Sequence, residues 1–393
     1  MKGKGGEVPR VSWKTVKLGS VIVKFDSQRI PLAALEREKR KGPYPYYGAN
    51  GIIDYVDDYL FDGEYILFAE DGNTVINKDG YPTVHRAKGK FWVNNHAHIF
   101  QSSEGCDQEF LYHVLTHTNV RAAVTGAAQP KINQENMDAI PILLPPLSVQ
   151  GVIAGVLGGY DEMVENNRRR MMLLEKMARE LYREMFVRRG GKHTKTVSVK
   201  DVCLRIGSGG TPSRRNSSYW NGGTIDWFKT KELFDDWLID SEEKITDDGL
   251  AESSAKIFEK NTLVMAIYAA PTVGRLGVLA KPACTNQAAL CLVANEKIVS
   301  WQWLFFLLQE KRAYFNRIAA GAGQQNISAD IVKNCEFELP EKAEIDKFTK
   351  AVAALFEERL NLALQTRKLE GVRDRLLPRL MSGKLSVEGV HIV

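Results

Sequence analysis

Histidine pairs and glycine-rich turns are the parts of this 393-residue chain with the most obvious chemical reach. His96-x-His98 and His113-x-x-x-His117 have spacings that a divalent metal could use, but no neighbouring carboxylate or cysteine completes either set. His113 and His117 fall on one face of an apolar helix, where histidines are more often structural. The five cysteines (Cys106, Cys203, Cys284, Cys291, Cys335) contain no C-x-x-C, so neither a zinc site nor a disulfide framework is indicated. "IGSGGTP" (206–212) lacks the G-x-G-x-x-G spacing of a dinucleotide turn, and "GGKHT" and "SGKLS" lack the upstream glycine of a phosphate loop. The Pro-Pro pair in "LLPPLS" is not the Asn-Pro-Pro-aromatic motif of amino-methyltransferases. No nucleophile, base and acid stand in a recognisable arrangement. The expectation is a chain with no catalytic residues, metal or cofactor of its own.

Two loop segments carry a different chemistry. "RIPLAALEREKRKGPYPYYGAN" (29–50) interleaves basic, aromatic and proline residues, and "GSGGTPSRRNSSYWNGG" followed by "WFKTKEL" does so again. Arg and Lys neutralise phosphates, while Arg, Asn, Gln, Ser and Thr pair with base edges. Either segment alone reads equally as a solvated loop; their occurrence twice favours a DNA surface. A net charge of +5 permits this without requiring it.

The elements that must carry these loops repeat as well. "LEKMARELYREMF" (174–186) returns in degraded form as "LEGVRDRLLPRLM" from Leu369, an offset of 195 that also sets "GAAQPKIN" (126–133) on "GAGQQNIS" (321–328). "VNNHAHIFQS" from Val93 aligns with "CTNQAALCLV" from Cys284 at 191, and "VSWKTVKLGS" from Val11 with "VSVKDVCLRI" from Val197 at 186. Each half reads as a mixed strand-and-helix module followed by one long helix, an α+β class. Strands run through "GIIDYVDDYLFDGEYILFAEDGNTV", with turns at Asp62-Gly63 and Asp71-Gly72.

In the first helix, Ile153, Leu157, Tyr160, Val164, Asn167, Met171, Leu174, Ala178, Leu181 and Met185 step alternately by 4 and 3, a heptad seam about 50 Å long. The second runs through Phe348, Val352, Leu355, Leu362, Leu369, Leu376 and Leu380, interrupted at Arg359, Thr366 and Arg373. Ser148 is the expected cap of the first helix. Each helix is the natural partner of the other, antiparallel about a two-fold axis, with one module at each end. Two DNA readers on a rod of fixed length would recognise two short sequences around an unread gap. A coiled coil serving only as spacer or adaptor, without DNA reading, is the competing expectation. The expected boundaries are a first target-reading domain at 1–147, helix 148–190, a second domain at 191–340, and helix with tail at 341–393. An N-terminus "MKGKGGEVPR" without an apolar core, and the lack of any 18-residue apolar run, argue for a cytoplasmic protein with no membrane association.

The order "PYYGANGIIDYVDDYLFDGEYIL", "GAAQPKIN", "PILLPPLSVQ", long helix, "GSGGTPSR", "AIYAAPTVGRLGVL", "TNQAAL", long helix closely resembles the DNA specificity subunits of type I restriction-modification systems, over essentially the whole chain. The resemblance implies two target-recognition domains joined by antiparallel helices in a non-catalytic subunit. It further implies double-stranded DNA, two methyltransferase subunits and two restriction subunits as partners, with S-adenosylmethionine, ATP and Mg held by those partners. Arg168 to Arg170 on the helix exterior would be free for methyltransferase subunits or phosphates. Within the loops, the DNA candidates are Arg29, Lys41, Tyr46, Tyr47, Asn50, Arg86 and Lys131 in the first domain. In the second they are Ser208, Thr211, Arg214, Arg215, Tyr219, Lys229, Lys231 and Arg275.

Overall fold

The computed structural model describes residues 13–126, 129–188, 193–268, 272–320, 326–385 and 387. The chain divides into two compact units, Met1–Val164 with Leu369–Val393, and Glu165–Lys368. Each unit therefore contains one strand-rich module and a part of both long helices.

In the first unit, β1 (Lys14–Lys17) pairs with β8 (Pro141–Leu144). A six-stranded sheet has the order β2-β7-β5-β6-β3-β4, from β2 (Ile22–Lys24), β3 (Lys41–Gly48), β4 (Gly51–Val56), β5 (Phe61–Ala69), β6 (Val84–Val93) and β7 (Ala97–Ser102). The helices are α1 (Ala34–Lys39), α2 (Gln108–Thr116), α3 (Gln134–Asp138) and the first part of α4 (Leu147–Tyr182). β6 serves two partners, β5 along Val84–Phe91 and β3 at Trp92 and Val93. Just before this change of partner Gly63 lies opposite Gly89, both with positive φ (141° and 75°), a backbone conformation that glycine adopts without strain. Asp62-Gly63, expected to be a turn, is thus strand interior, whereas Asp71-Gly72 does turn the chain.

The second unit contains β9 (His193–Ser198), β10 (Cys203–Ser208), β11 (Ile225–Phe228), β12 (Asp236–Leu238), β13 (Glu243–Ile245), β14 (Leu263–Ala266), β15 (Leu276–Leu279), β16 (Cys284–Thr285), β17 (Ala289–Ala294) and β18 (Glu336–Pro340). They form sheets ordered β10-β17-β14-β15-β12, β13-β11-β16 and β18-β9. The helices are α5 (Asp247–Ala251), α6 (Trp301–Glu310), α7 (Arg312–Ala320), α8 (Ala329–Lys333) and most of α9 (Lys342–Met381).

Strand pairing shows the two modules to be copies and corrects their alignment. Ala69 opposes Ala97 in the first, Ala266 opposes Ala289 in the second; Tyr47 faces Val93, and Phe228 faces Thr285. The offset between β7 and β17 is therefore 192, one residue away from the 191 expected. A one-residue slip would turn every buried side chain of the strand outward, so tertiary pairing is the stricter guide. The shared "IN/IS" loops dock identically: Ile132 N–H donates to the Glu70 carbonyl (2.8 Å), and Ile327 N–H to that of Ile267 (2.9 Å). Gly321 to Gln325, the rest of the second copy, lie outside the described residues.

Within each unit α4 and α9 run antiparallel. In the first, Ile153 and Leu157 share a core with Leu380 and Met381, and Asp161 Oδ1 accepts from Arg373 Nη1 at 2.6 Å. In the second, Asn167 Nδ2 donates to Gln365 Oε1 (3.2 Å), and Tyr182 packs on Phe348 with ring centroids 5.8 Å apart. Ile153, Leu157, Val164, Ala178, Phe348, Val352, Leu362 and Leu380 are buried as the seam requires, and Tyr160, Met171, Leu174, Met185, Leu355, Leu369 and Leu376 are half-buried. Leu181 is not part of it. It is 38% exposed and Tyr182 is 3% exposed in its place. A straight helix drifts about 20° per heptad against a 3.5-residue repeat, so after four heptads from Ile153 the inward position has moved one residue on. Arg359 and Thr366, read as interruptions, are buried members of the stripe, and Phe356 joins them. α4 begins at Leu147, ahead of the expected Ser148 cap, with the Pro146 carbonyl accepting from Val149 and Gln150. Among the described residues, no helix is long and apolar enough to cross a membrane.

Candidate nucleic-acid interface

In the first unit, four loops meet at one edge of the sheet: the β3–β4 turn (Ala49 and Asn50), residues 70–74 after β5, the β6–β7 turn (94–96) and residues 129–132 with Thr125. Asn50 accepts from the Thr74 hydroxyl, His96 Nδ1 lies 2.7 Å from Asp71 Oδ1, and Lys131 Nζ lies 3.1 Å from Glu70. Asn50, Thr74, His96 and Lys131 all present exposed polar groups there. Gly51, with φ 97°, lets the turn pass beside His85; a Cβ would stand 3.3 Å from its ring. Lys41 sits on the outer hairpin, bonded to Asp54 at 2.8 Å, and half-buried Tyr47 packs edge-on against Phe91.

Three first-domain candidates have other duties. Tyr46 is fully buried; its hydroxyl accepts from the Leu32 amide at 2.8 Å and so pins the 29–33 segment. Arg29 donates to Glu70 (2.8 Å) and to the Ala97 carbonyl (2.7 Å), and its side chain is 12% exposed. It belongs to a charged cluster under the loops in which buried His98 bridges Asp26 (2.6 Å) and the Ile132 carbonyl (2.8 Å). Burial would raise the Asp26 carboxyl, but hydrogen bonds from His98, the Ile99 amide and Gln134 outweigh it and hold it below its ordinary range. Arg86 is held by Glu109 and by Asp161 (2.7 Å), against α2 and α4. Sequence shows these cations as charges but not the carboxylates that fold against them from 23 to 75 positions away.

The second unit builds the corresponding edge. Trp227 occupies the place of Tyr46: buried, with Nε1 donating to the Gly210 carbonyl (2.8 Å), it pins the glycine-rich loop after half-buried Ser208. Thr211 donates to Gln287, which the corrected offset places on Asn95. Arg214 stacks on Trp220 with its guanidinium carbon 3.6 Å from the ring centroid, and its two terminal nitrogens grip Glu243 at 2.6 and 3.0 Å. Lys229 reaches Glu243 (2.6 Å) and Glu242 (3.1 Å), and Lys231 reaches Glu242 (2.6 Å). The bond from Arg214, aided by Lys229, holds the Glu243 carboxyl down at about 2 against the effect of burial. Tyr219 donates to Glu252 at 2.7 Å. Arg215 is exposed and has no partner among the described residues. Arg275 lies over Phe234, which is 71% exposed beside Asp235; that residue's positive φ (61°) is held by Arg312.

Two histidine clusters do acquire carboxylates through folding, which corrects the expectation that none completes them. Asp26, Glu70 and His98 converge, as do Glu109, His113 and Asp161. Arginines already engage both sets: Arg29 in the first, Arg86 and Arg373 in the second. Burial pushes His113 down to about 4. The cysteines are free thiols; burial raises Cys106, Cys203 and Cys291 to about 12, which suits packing and not nucleophilic chemistry. Of the exterior helix arginines, Arg169 pairs with Glu165 (3.0 Å) and Arg170 with Glu358 (2.6 Å), so neither is free as expected.

A doubled strand-and-loop module with polar, cationic edges defines a class. The sequence matches the family model described as type I restriction modification DNA specificity domain twice, at residues 10–176 and 192–365, and the chain belongs to that family. Among relatives, it is 32% identical over 247 residues to a Haemophilus influenzae protein assigned as a type I restriction enzyme specificity subunit, covering 59% of this chain and 62% of that one. The type I restriction enzyme MjaVIII specificity subunit of Methanocaldococcus jannaschii is 22% identical over 98% of this chain and 96% of its own. The fold is similar to the crystal structure of a type I restriction-modification S subunit from M. genitalium, with a TM-score of 0.60 and 15% identity, covering 97% of this chain and 99% of that one.

Proposed function

We propose that the chain is the DNA-reading specificity subunit of a type I restriction-modification complex. It is a non-catalytic part that recognises a bipartite, asymmetric duplex site and directs adenine methylation and restriction by partner subunits. The observation that carries this reading is the repetition of one recognition edge in both units, each pinned by a buried aromatic hydrogen-bonded to its loop. In the first domain (1–147) Lys41, Tyr47, Asn50 and Lys131, joined by Thr74 and His96, face DNA. In the second (191–340) Ser208, Thr211, Arg214, Arg215, Tyr219, Lys229, Lys231 and Arg275 do so, joined by Gln287. The helices (148–190 and 341–393) serve two methyltransferase and two restriction subunits, which bring S-adenosylmethionine, ATP and Mg. The complex works in the cytoplasm.

The test is single-molecule mapping of modified adenines in cells that co-express the chain with its methyltransferase. A bipartite motif that disappears when this chain is omitted is expected; methylation that persists unchanged without it would overturn the reading.

A further inference from the structure

Three second-domain cations assigned to DNA, Arg214, Lys229 and Lys231, share two adjacent carboxylates, Glu242 and Glu243. These carboxylates are not buried counter-charges. Their side chains are 52% and 35% exposed, beside Arg214 at 49%, Lys231 at 61% and the more covered Lys229 at 20%. Arg214 spends both terminal nitrogens on Glu243 while Trp220 fixes the plane of its guanidinium. Phosphate neutralisation is the sequence-independent part of DNA affinity, so a cation already paired within the protein contributes little to it. A backbone phosphate reaching Lys229 or Arg214 must also approach Glu243, a like-charge contact that rises steeply at short range.

Resting on the reading above, we infer that Glu242 and Glu243 are specificity-determining residues that hold Arg214, Lys229 and Lys231 back from phosphates and suppress binding to non-target DNA. A target sequence can compensate by supplying base-edge partners to the same loop, whereas a random duplex cannot. Arg215, without a partner among the described residues, keeps the surface attractive enough for encounter.

The experiment uses the complex of this chain with its methyltransferase subunits and measures binding to a random-sequence duplex and to the mapped target across a salt series. Glu243→Gln and the double variant E242Q/E243Q are compared with Glu259→Gln, which removes one exposed carboxylate that pairs with no cation among the described residues. Non-target affinity at about 0.15 M salt should rise about tenfold in the double variant, with a salt slope steeper by roughly three, since each of the three freed cations engages one phosphate. Target affinity should change less, and stray methylation should increase. An unchanged slope, or an equal rise in Glu259→Gln, would overturn the inference by reducing it to net charge. Should the double variant fail to assemble, Glu243→Gln alone decides, because that carboxylate holds both Arg214 and Lys229. A wild-type complex that methylates no bipartite motif would defeat the functional reading itself, a result separate from failure of the variants.

Discussion

Tyr46 and Trp227 show how single buried side chains pin the loops of the proposed DNA-reading edge. Each buries an aromatic ring and spends its one polar atom on a loop that precedes it: Tyr46 on the Leu32 amide, Trp227 on the Gly210 carbonyl. Tyr46→Phe keeps the ring and leaves a buried N–H without its acceptor, so a loss of about 1–3 kcal/mol is expected in urea unfolding. His113 supplies a pH prediction of definite sign. Its folded value, about 4, lies below the ordinary 6.5, so the stability present above pH 6.5 is lost as the unfolded chain takes up a proton and the folded one does not. The groups facing it are Glu109 and Asp161, which would favour the charged ring, and Arg86 and Arg373, which oppose it; burial dominates. Between pH 6.5 and 4 the loss should reach about 3 kcal/mol, and His113→Gln should flatten that part of the stability profile. A wild-type profile with no slope there would show that the ring is solvated.

At the scale of the element, the long helices obey the 3.6-residue period where the sequence suggested 3.5. Tyr182, packed against Trp303, Phe306 and Phe348, carries the end of the α4 stripe. Tyr182→Ala should therefore cost about 3–5 kcal/mol, against under about 1 kcal/mol for Leu181→Ala, in denaturant unfolding. Equal effects would restore the heptad reading. The buried polar residues of the pair are as specific as the apolar ones. Arg359, 4% exposed, donates to Asp236 at 3.0 Å, and Asn167 meets Gln365, so a shifted helix register would strand polar groups in the core.

For the whole molecule, duplication predicts a division of labour. The loops of the first unit and those of the second stand on different cores, so changes in one should not reach the other. Replacing Asn50, Thr74 and Lys131 together should alter or relax one half of the methylated motif only. Replacing Thr211, Gln287 and Arg214 should alter the other half only. Methylome mapping distinguishes this from a change in both halves, which would argue that the loops act through shared structure.

Repetition, α+β character, the paired helices and the family were all legible in the sequence, because they are written as local order: heptad spacing, turn dipeptides, and motifs recurring at nearly constant offset. The loops of the proposed edge were legible for the same reason, since Asn50 in one copy and Thr211 and Arg214 in the other stand in polar turn segments. What the sequence could not show is which charges are already answered. Arg29, Arg86 and Arg170 look as available as Arg215, yet they are met by carboxylates between 23 and 188 positions distant. Likewise the histidine pairs looked short of acids until β7 brought His98 beside Asp26 and Glu70, and α2 brought His113 and Glu109 beside Asp161. Composition and spacing record the charge on a residue; only the tertiary structure, by bringing distant segments within about 4 Å, decides whether that charge faces a partner or a ligand.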